Sequence, residues 1–209
     1  MVDKERIPQM CPENMSLDVF DRKFYNRKTV EVARDLLGKL LVRKVEGQII
    51  VGKIVEVEAY IGTNDPAAHA SAGLTKRTEV LFGEPGHAYI FSIHGYNCLN
   101  VVAEEIGSPG CVLVRALEPV CGSVVMKKLR GRNVSDVELA NGPGKLCRTF
   151  GIDLSFNGID LASQESELII CDNKHSREVE IETTRRIGIT KAADWELRFA
   201  IKGNKFVSR

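Results

Sequence analysis

The sequence predicts an α+β fold with a mixed or antiparallel sheet. Three observations carry this reading. Short segments of period-two alternation recur along the chain, helical stripes are few, and no regular βαβ rhythm links the strands. A length of 209 residues suits one domain, with the composition of an ordinary globular protein. No apolar run reaches membrane-spanning length, so no membrane partner is expected.

Residues 1–18 mix charges of both signs and have no apolar core, unlike a secretory signal or an Arg-rich transit peptide. They read as a loosely ordered leader to a domain over 19–209. In the stretch from Thr29, Val30, Ala33, Leu36 and Leu37 form a helical stripe that Gly38 is suited to end. Leu40 to Val45 and Ile49 to Tyr60 read as strands joined at Glu46-Gly47, a hairpin. In the second strand, Ile54, Glu56 and Glu58 share one face by alternation, and Val55, Val57 and Ala59 the other. An Asn64-Asp65-Pro66 turn leads to His69, and Ala67 to Glu79 reads as a surface loop.

After the Glu84-Pro85-Gly86 turn, Tyr89 to His94 and Tyr96 to Ala103 alternate as strands, with Gly95 placing His94 at the tip. Cys111 to Val120 is a buried strand with one internal charge, Arg115. Val124 to Leu129 reads as a helix ended by Gly131. A second short helix has Asn141 as N-cap, Pro143 in its first turn and Gly151 at its end. Short strands follow at Leu168–Cys171, Val179–Thr183, Arg186–Ile189 and Arg198–Ile201.

The six cysteines form no CxxC and no zinc spacing, so free thiols in a reducing cytosol are expected. Net charge is only +1, yet charge is uneven. Lys127, Lys128, Arg130, Arg132, Lys145 and Arg148 face only Asp136 and Glu138 in their stretch, which suits either a phosphate-tracking face or a mixed solvated surface.

Glu58 lies on an otherwise apolar strand end. Partial desolvation there would raise its pKa toward that of a useful base, and simple pairing with a Lys or Arg is an equal reading. Glu56, further inside, suits a structural role better. Arg115, in a buried strand, must be paired or face a polar groove. Two mechanisms stay open on the residues alone. Glu56, Glu58, Asp65 and His69 could hold a divalent metal for hydrolysis, or Glu58 could activate water without one.

The four blocks IVEVEAYIGTNDPAAHA, EPGHAYIFSIHGYNCLNVV, CVLVRALEP and NGPGKLCRTFGID go further. In this order they resemble the alkyladenine (3-methyladenine) DNA glycosylase family, from about Leu36 to about Val207. The resemblance implies a single compact domain with a mixed, mainly antiparallel curved sheet flanked by short helices. It implies a base-excision enzyme that flips alkylated purines, and in some members deaminated ones, out of duplex DNA. Hydrolysis of the N-glycosidic bond then leaves an abasic site.

By resemblance Glu58 is the water-activating glutamate, and Arg115 helps to hold the water. Tyr60 and Phe91 sandwich the base, His69 contacts base and sugar-phosphate, and Asn100 and Leu113 line the pocket. Phe91 and His94 stand where the best-known members carry tyrosines, and His94 takes the place of the wedge. The GYNCLN stretch is one residue shorter than in those members. Lys76, Arg77, Lys145 and Arg148 are candidates for phosphate contact by charge and position. No cofactor or metal is implied, nor any lysine for Schiff-base chemistry. The expected partner is duplex DNA with damaged purines, bound by a monomer in a prokaryotic cytoplasm (nucleoid) or a eukaryotic nucleus. The contrasting class is a non-catalytic module for damaged or distorted DNA.

Overall fold

The computed structural model describes residue 11 and residues 17–131, 134–173 and 178–208. Most of the expected leader therefore lies outside the described residues, as does Arg132. A short helix, α1 (Arg22–Tyr25), is capped by the Asp21 side chain and was not evident in the sequence. Next, α2 (Thr29–Leu36) stops before Gly38, which takes a φ of 83°. Then β1 (Leu40–Val45) and β2 (Gln48–Ile61) form the expected hairpin. Its two-residue turn, Glu46-Gly47, has positive φ at both positions, the geometry that matches strand twist.

A second hairpin joins β3 (Ala88–Ile93) to β4 (Tyr96–Ala103) through His94 and Gly95, again both at positive φ. The long β5 (Gly110–Cys121) leads into α3 (Ser123–Arg130) and α4 (Pro143–Phe150). The last strands are β6 (Leu168–Cys171), β7 (Ile181–Thr184) and β8 (Arg198–Ile201). The sheet order is β3-β4-β5-β2-β1-β6, with β8 also bonded to β2 and β7 to β8. Every one of these pairings is antiparallel.

The sheet curves where β2 changes neighbours from β1 to β8 and its register with β5 shifts between Ile54 and Val57. This irregularity overturns strict alternation in the stretch. Ile54 packs in the main core with Val57 and Ala59, whereas Val55 joins Ala116 and Phe206 in another cluster. Val114, Leu117, Leu99 and Phe150 complete the main core on that face. The opposite face is left for Glu56, Glu58 and Tyr60.

Several expectations are corrected. Cys11 and Cys121 form a disulfide, so only Cys98, Cys111, Cys147 and Cys171 are free among the described residues. The two partners lie 110 residues apart, a proximity that spacing does not reveal. The N-cap of α4 is Gly142, because the Asn141 amide oxygen accepts instead from Lys145 Nζ at 2.9 Å. The surface loop from Ala67 contains two 3-10 turns, His69–Ala72 and Glu79–Phe82, and buries Ala68, Ala70 and Thr78. Residues 186–189 are not a strand. Arg186 is drawn inward to a carboxylate and Gly188 takes a φ of 78°, which breaks the extended run. No described helix is long and apolar enough to cross a membrane.

Candidate active site

Four adjacent strands build the site by alternation. Tyr89 pairs with Asn100, Asn100 with Leu113, and Leu113 with Glu58, a straight row across β3, β4, β5 and β2. On the same face one step along, Phe91, Cys98, Cys111 and Tyr60 join them. All of these except Glu58, together with Arg115, His69, Pro143 and residues 187–189, line a cavity of about 330 Å³. That is near the lower end of the ~300–1,000 Å³ typical of small-molecule sites, and its wall is mostly apolar and aromatic.

Arg115 has no partner opposite it on β2, because the register jumps from Ala116 to Val114 across Glu56 and Val57. The irregularity lets one guanidinium reach two carboxylates. Its Nε donates to Glu56 Oε1 at 2.9 Å and its Nη1 lies 3.2 Å from Glu58 Oε1. The two carboxylates raise the Arg115 pKa against the opposing effect of burial.

Glu56 and Glu58 are both fully buried. Glu56 takes hydrogen bonds from Arg115 Nε, Arg198 Nε at 2.7 Å, and Ser208 N and Oγ at 2.6 and 2.8 Å. Burial would raise its pKa, but these donors outweigh burial and hold it below the usual value. Glu58 accepts from Ile187 N–H at 2.7 Å and from the Tyr60 hydroxyl at 3.0 Å, beside the Arg115 contact. Burial dominates here and raises its pKa, with Arg115 and the Ile187 N–H opposing. An ionised carboxylate offers about four acceptor positions. Four donors reach Glu56, whereas Glu58 accepts only from the Ile187 N–H and the Tyr60 hydroxyl beside its ion pair with Arg115, so Glu58 Oε2, which Tyr60 alone reaches, has room for a further donor. Glu58 sits one layer behind the cavity wall, and its two hydrogen-bond donors and its ion-pair partner all belong to wall residues.

His69 lies at the rim. Its Nε2 is 3.3 Å from Arg77 Nη2 and its Nδ1 is 3.0 Å from Tyr89 Oη. Arg can only donate, so the network assigns the proton to Nδ1, which donates to Tyr89. Burial and then the Arg77 charge lower the His69 pKa and favour this neutral ring. Its ring meets Phe91 edge-on at 4.5 Å. Arg77 also lies 5.8 Å from the Phe91 ring, which puts it at the mouth, whereas Lys76 is exposed and does not line the cavity. Burial pushes the Cys98 and Cys111 thiols up to about 11 and about 12, so both line the cavity as inert thiols.

The cavity adjoins a polar cleft of about 390 Å³ through Arg115 and Pro143. Arg130, Lys145 and Arg148 line this cleft beside the first turn of α4. Above it the β3–β4 tip exposes Ile93 and Tyr96 on either side of His94. Tyr96 packs so closely on Gly144 that a Cβ there would lie 2.8 Å from its ring.

The structure thus gathers Glu58, Arg115, Tyr60, His69, Phe91, Asn100 and Leu113 around one cavity, with His94, Lys145 and Arg148 beside it. It does not gather the metal set. Asp65 is locked to Arg186 and Glu56 to two arginines, and no group of three His, Cys, Asp or Glu among the described residues could hold an ion. The sequence reading missed Tyr89, Tyr96, Arg186 and Ile187. Only Tyr89 had a legible signal, its alternation with Phe91.

The chain matches the family model described as methylpurine-DNA glycosylase (MPG) over residues 23–205. It is similar to proteins named "Putative 3-methyladenine DNA glycosylase" in several organisms. That of Carboxydothermus hydrogenoformans is 48% identical, over 90% of this chain and 97% of the relative. That of Methanocella arvoryzae is 47% identical, over 87% and 90%. That of Clostridium perfringens is 46% identical, over 90% and 98%.

Proposed function

We propose, for a chain that belongs to the methylpurine-DNA glycosylase family, that it removes alkylated purines from duplex DNA by hydrolysing the N-glycosidic bond. The observation that carries this reading is the pairing of a buried carboxylate, still short of one hydrogen bond, with an aromatic cavity beside it. A purine within a duplex cannot reach such a cavity, so the nucleotide must leave the stack, at a cost of a few kcal/mol. Stacking on Tyr60 and Phe91, at about 1–3 kcal/mol per base, offsets much of that. Ile93, His94 and Tyr96 on the exposed tip are suited to fill the vacated step.

N3- or N7-alkylation makes the purine cationic, which the ring faces favour and which makes the base a good leaving group. Water held at the open position of Glu58 attacks C1′ of the sugar and gives its proton to Glu58. The glycosidic electron pair leaves with the base, which departs neutral, and an abasic site remains. The anionic carboxylate also stabilises the positive charge developing on the sugar. Arg115, fixed between the two glutamates, orients the acceptor. No lysine among the described residues lines the cavity, which favours simple hydrolysis over strand cleavage through a Schiff base. Hypoxanthine and ethenoadenine leave as neutral bases only if protonated, so alkylated purines are the better substrates.

The test is incubation with methylated, hypoxanthine- and ethenoadenine-containing duplexes, followed by chromatography of the released bases. Free 3-methyladenine is expected, with Glu58→Gln releasing none. Tight lesion binding with no base released from any duplex would instead identify a non-catalytic module.

A further inference from the structure

Asp65 and Arg186 form a completely buried ion pair, with both side chains at 0% exposure. The fork is bidentate, Nη1 to Oδ2 at 2.5 Å and Nη2 to Oδ1 at 2.9 Å. Neither residue lines the cavity, and neither touches the position where a base would sit. Both nevertheless hold what does. Arg186 Nη1 also donates to the carbonyl of Ala59, between Glu58 and Tyr60, and its guanidinium lies 4.6 Å from the Tyr60 ring centroid. Asp65 accepts from Ile61 N–H at the end of β2 and from Ala67 N–H in the cavity wall. The residue after Arg186 is Ile187, whose N–H donates to Glu58.

We propose that the Asp65–Arg186 fork is a positioning pair, which sets Tyr60 and the Ile187 N–H at their distances from Glu58 and so fixes the direction of its open acceptor. This rests on the glycosylase reading above. Both hydrogen-bond donors to Glu58 hang on this one fork, and its ion-pair partner, Arg115, is independent of it. Physical chemistry favours the role. A buried ion pair adds little net stability over apolar residues of equal volume, so stability alone gives it no purpose. A planar bidentate fork, in contrast, fixes orientation as well as distance. Lysine keeps the charge but has neither the fork nor the flat face for Tyr60.

The test uses the full chain and a duplex methylated with dimethyl sulfate. Wild type, Arg186→Lys and the double variant Asp65→Asn with Arg186→Met are compared by single-turnover base release across pH, and by thermal melting. The double variant removes both charges at once, so neither is left stranded. Both variants are expected to melt near wild type. Base release should slow roughly 10- to 100-fold, the scale of one charge-assisted hydrogen bond. The acid limb of the rate should move to higher pH, because Glu58 loses N–H donation to its ionised form. An unchanged acid limb in folded variants overturns the proposal, as does loss of folding in both. Wild type that releases no base from the methylated duplex would overturn the glycosylase reading itself, a result distinct from an active wild type with indifferent variants.

Discussion

Glu56 and Glu58 are two residues apart on one strand, on the same face, equally buried and bound to the same arginine. Their environments push them in opposite directions. Glu56 is held below its usual pKa by a full set of donors, two of them arginines. Glu58 is raised by burial, which its smaller set of donors does not overcome. Burial is therefore not what separates the carboxylate proposed to react from the structural one. The difference is the second arginine on Glu56 and, on Glu58, an acceptor oxygen with room to spare whose neighbours line a cavity.

The largest expected effect separates the two by substitution. Glu58→Gln should slow single-turnover base release roughly 100- to 10,000-fold, the worth of a positioned base, with lesion binding largely kept. Its melting temperature should hold, because Arg115 keeps Glu56 as a partner. Glu56→Gln should do the reverse. It breaks a buried network of Arg115, Arg198 and Ser208, at about 3–5 kcal/mol of stability. The folded fraction should still excise. A folded Glu56→Gln protein as inactive as Glu58→Gln would erase the distinction.

Acid should separate them next. Both start from an ordinary value of 4.5. Glu58 has a raised native pKa, so its proton returns above pH 4.5, and the rate should fall as pH drops through that native value. Its ionisation opposes folding at neutral pH, and acid relieves that. Glu56 has a lowered native pKa, so its contribution to stability is complete above pH 4.5 and is lost as pH falls below it toward the native value. Activity should thus vanish at a higher pH than the fold does. Coincident loss in rate and in circular dichroism would mean that one titration governs both.

A smaller effect should come from Tyr60→Phe. The ring and its stacking surface remain, and one donor to Glu58 Oε2 is lost. Base release should slow about tenfold, at the lower end for a hydrogen bond to a charge, and the acid limb should move up. An unchanged rate would mean that ring stacking alone accounts for Tyr60.

Much of this site was legible. Alternation alone put Glu58 on the face opposite Val57 and Ala59, and Phe91 with Tyr89, and it marked Arg115 as a charge in need of a partner. Family resemblance then gave Glu58 preference over an equal structural reading. What alternation did not yield was anything set by strand order or irregularity. The bulge that moved Ile54 to the core and freed Arg115 leaves no mark in residue type. Asp65 read as a turn residue, and its partner lies 121 positions on, inside a segment that resembled a strand. Cys11 and Cys121 met for the same reason, through tertiary proximity that spacing does not encode. Tyr96 read as the first residue of a strand, and its exposure at the hairpin end follows from where that hairpin lies.

The smallest expected effect bears on the carboxylates as a group. Glu56, Glu58, Asp65 and His69 are the residues that a divalent ion would need, and apart from the open position on Glu58 most of their lone pairs are already directed elsewhere. Glu56 accepts from two arginines and Ser208, Asp65 from Arg186 and two amides, and the His69 nitrogens face Tyr89 and Arg77. An ion drawing on this set would have to displace arginines that are already desolvated, leaving their charges buried without a partner, which is strongly unfavourable. Excess EDTA should therefore leave single-turnover base release unchanged. Activity lost in EDTA and restored by added metal would mean that these side chains regroup when DNA binds, and that Glu56 and Glu58 share one ion rather than dividing structure from chemistry.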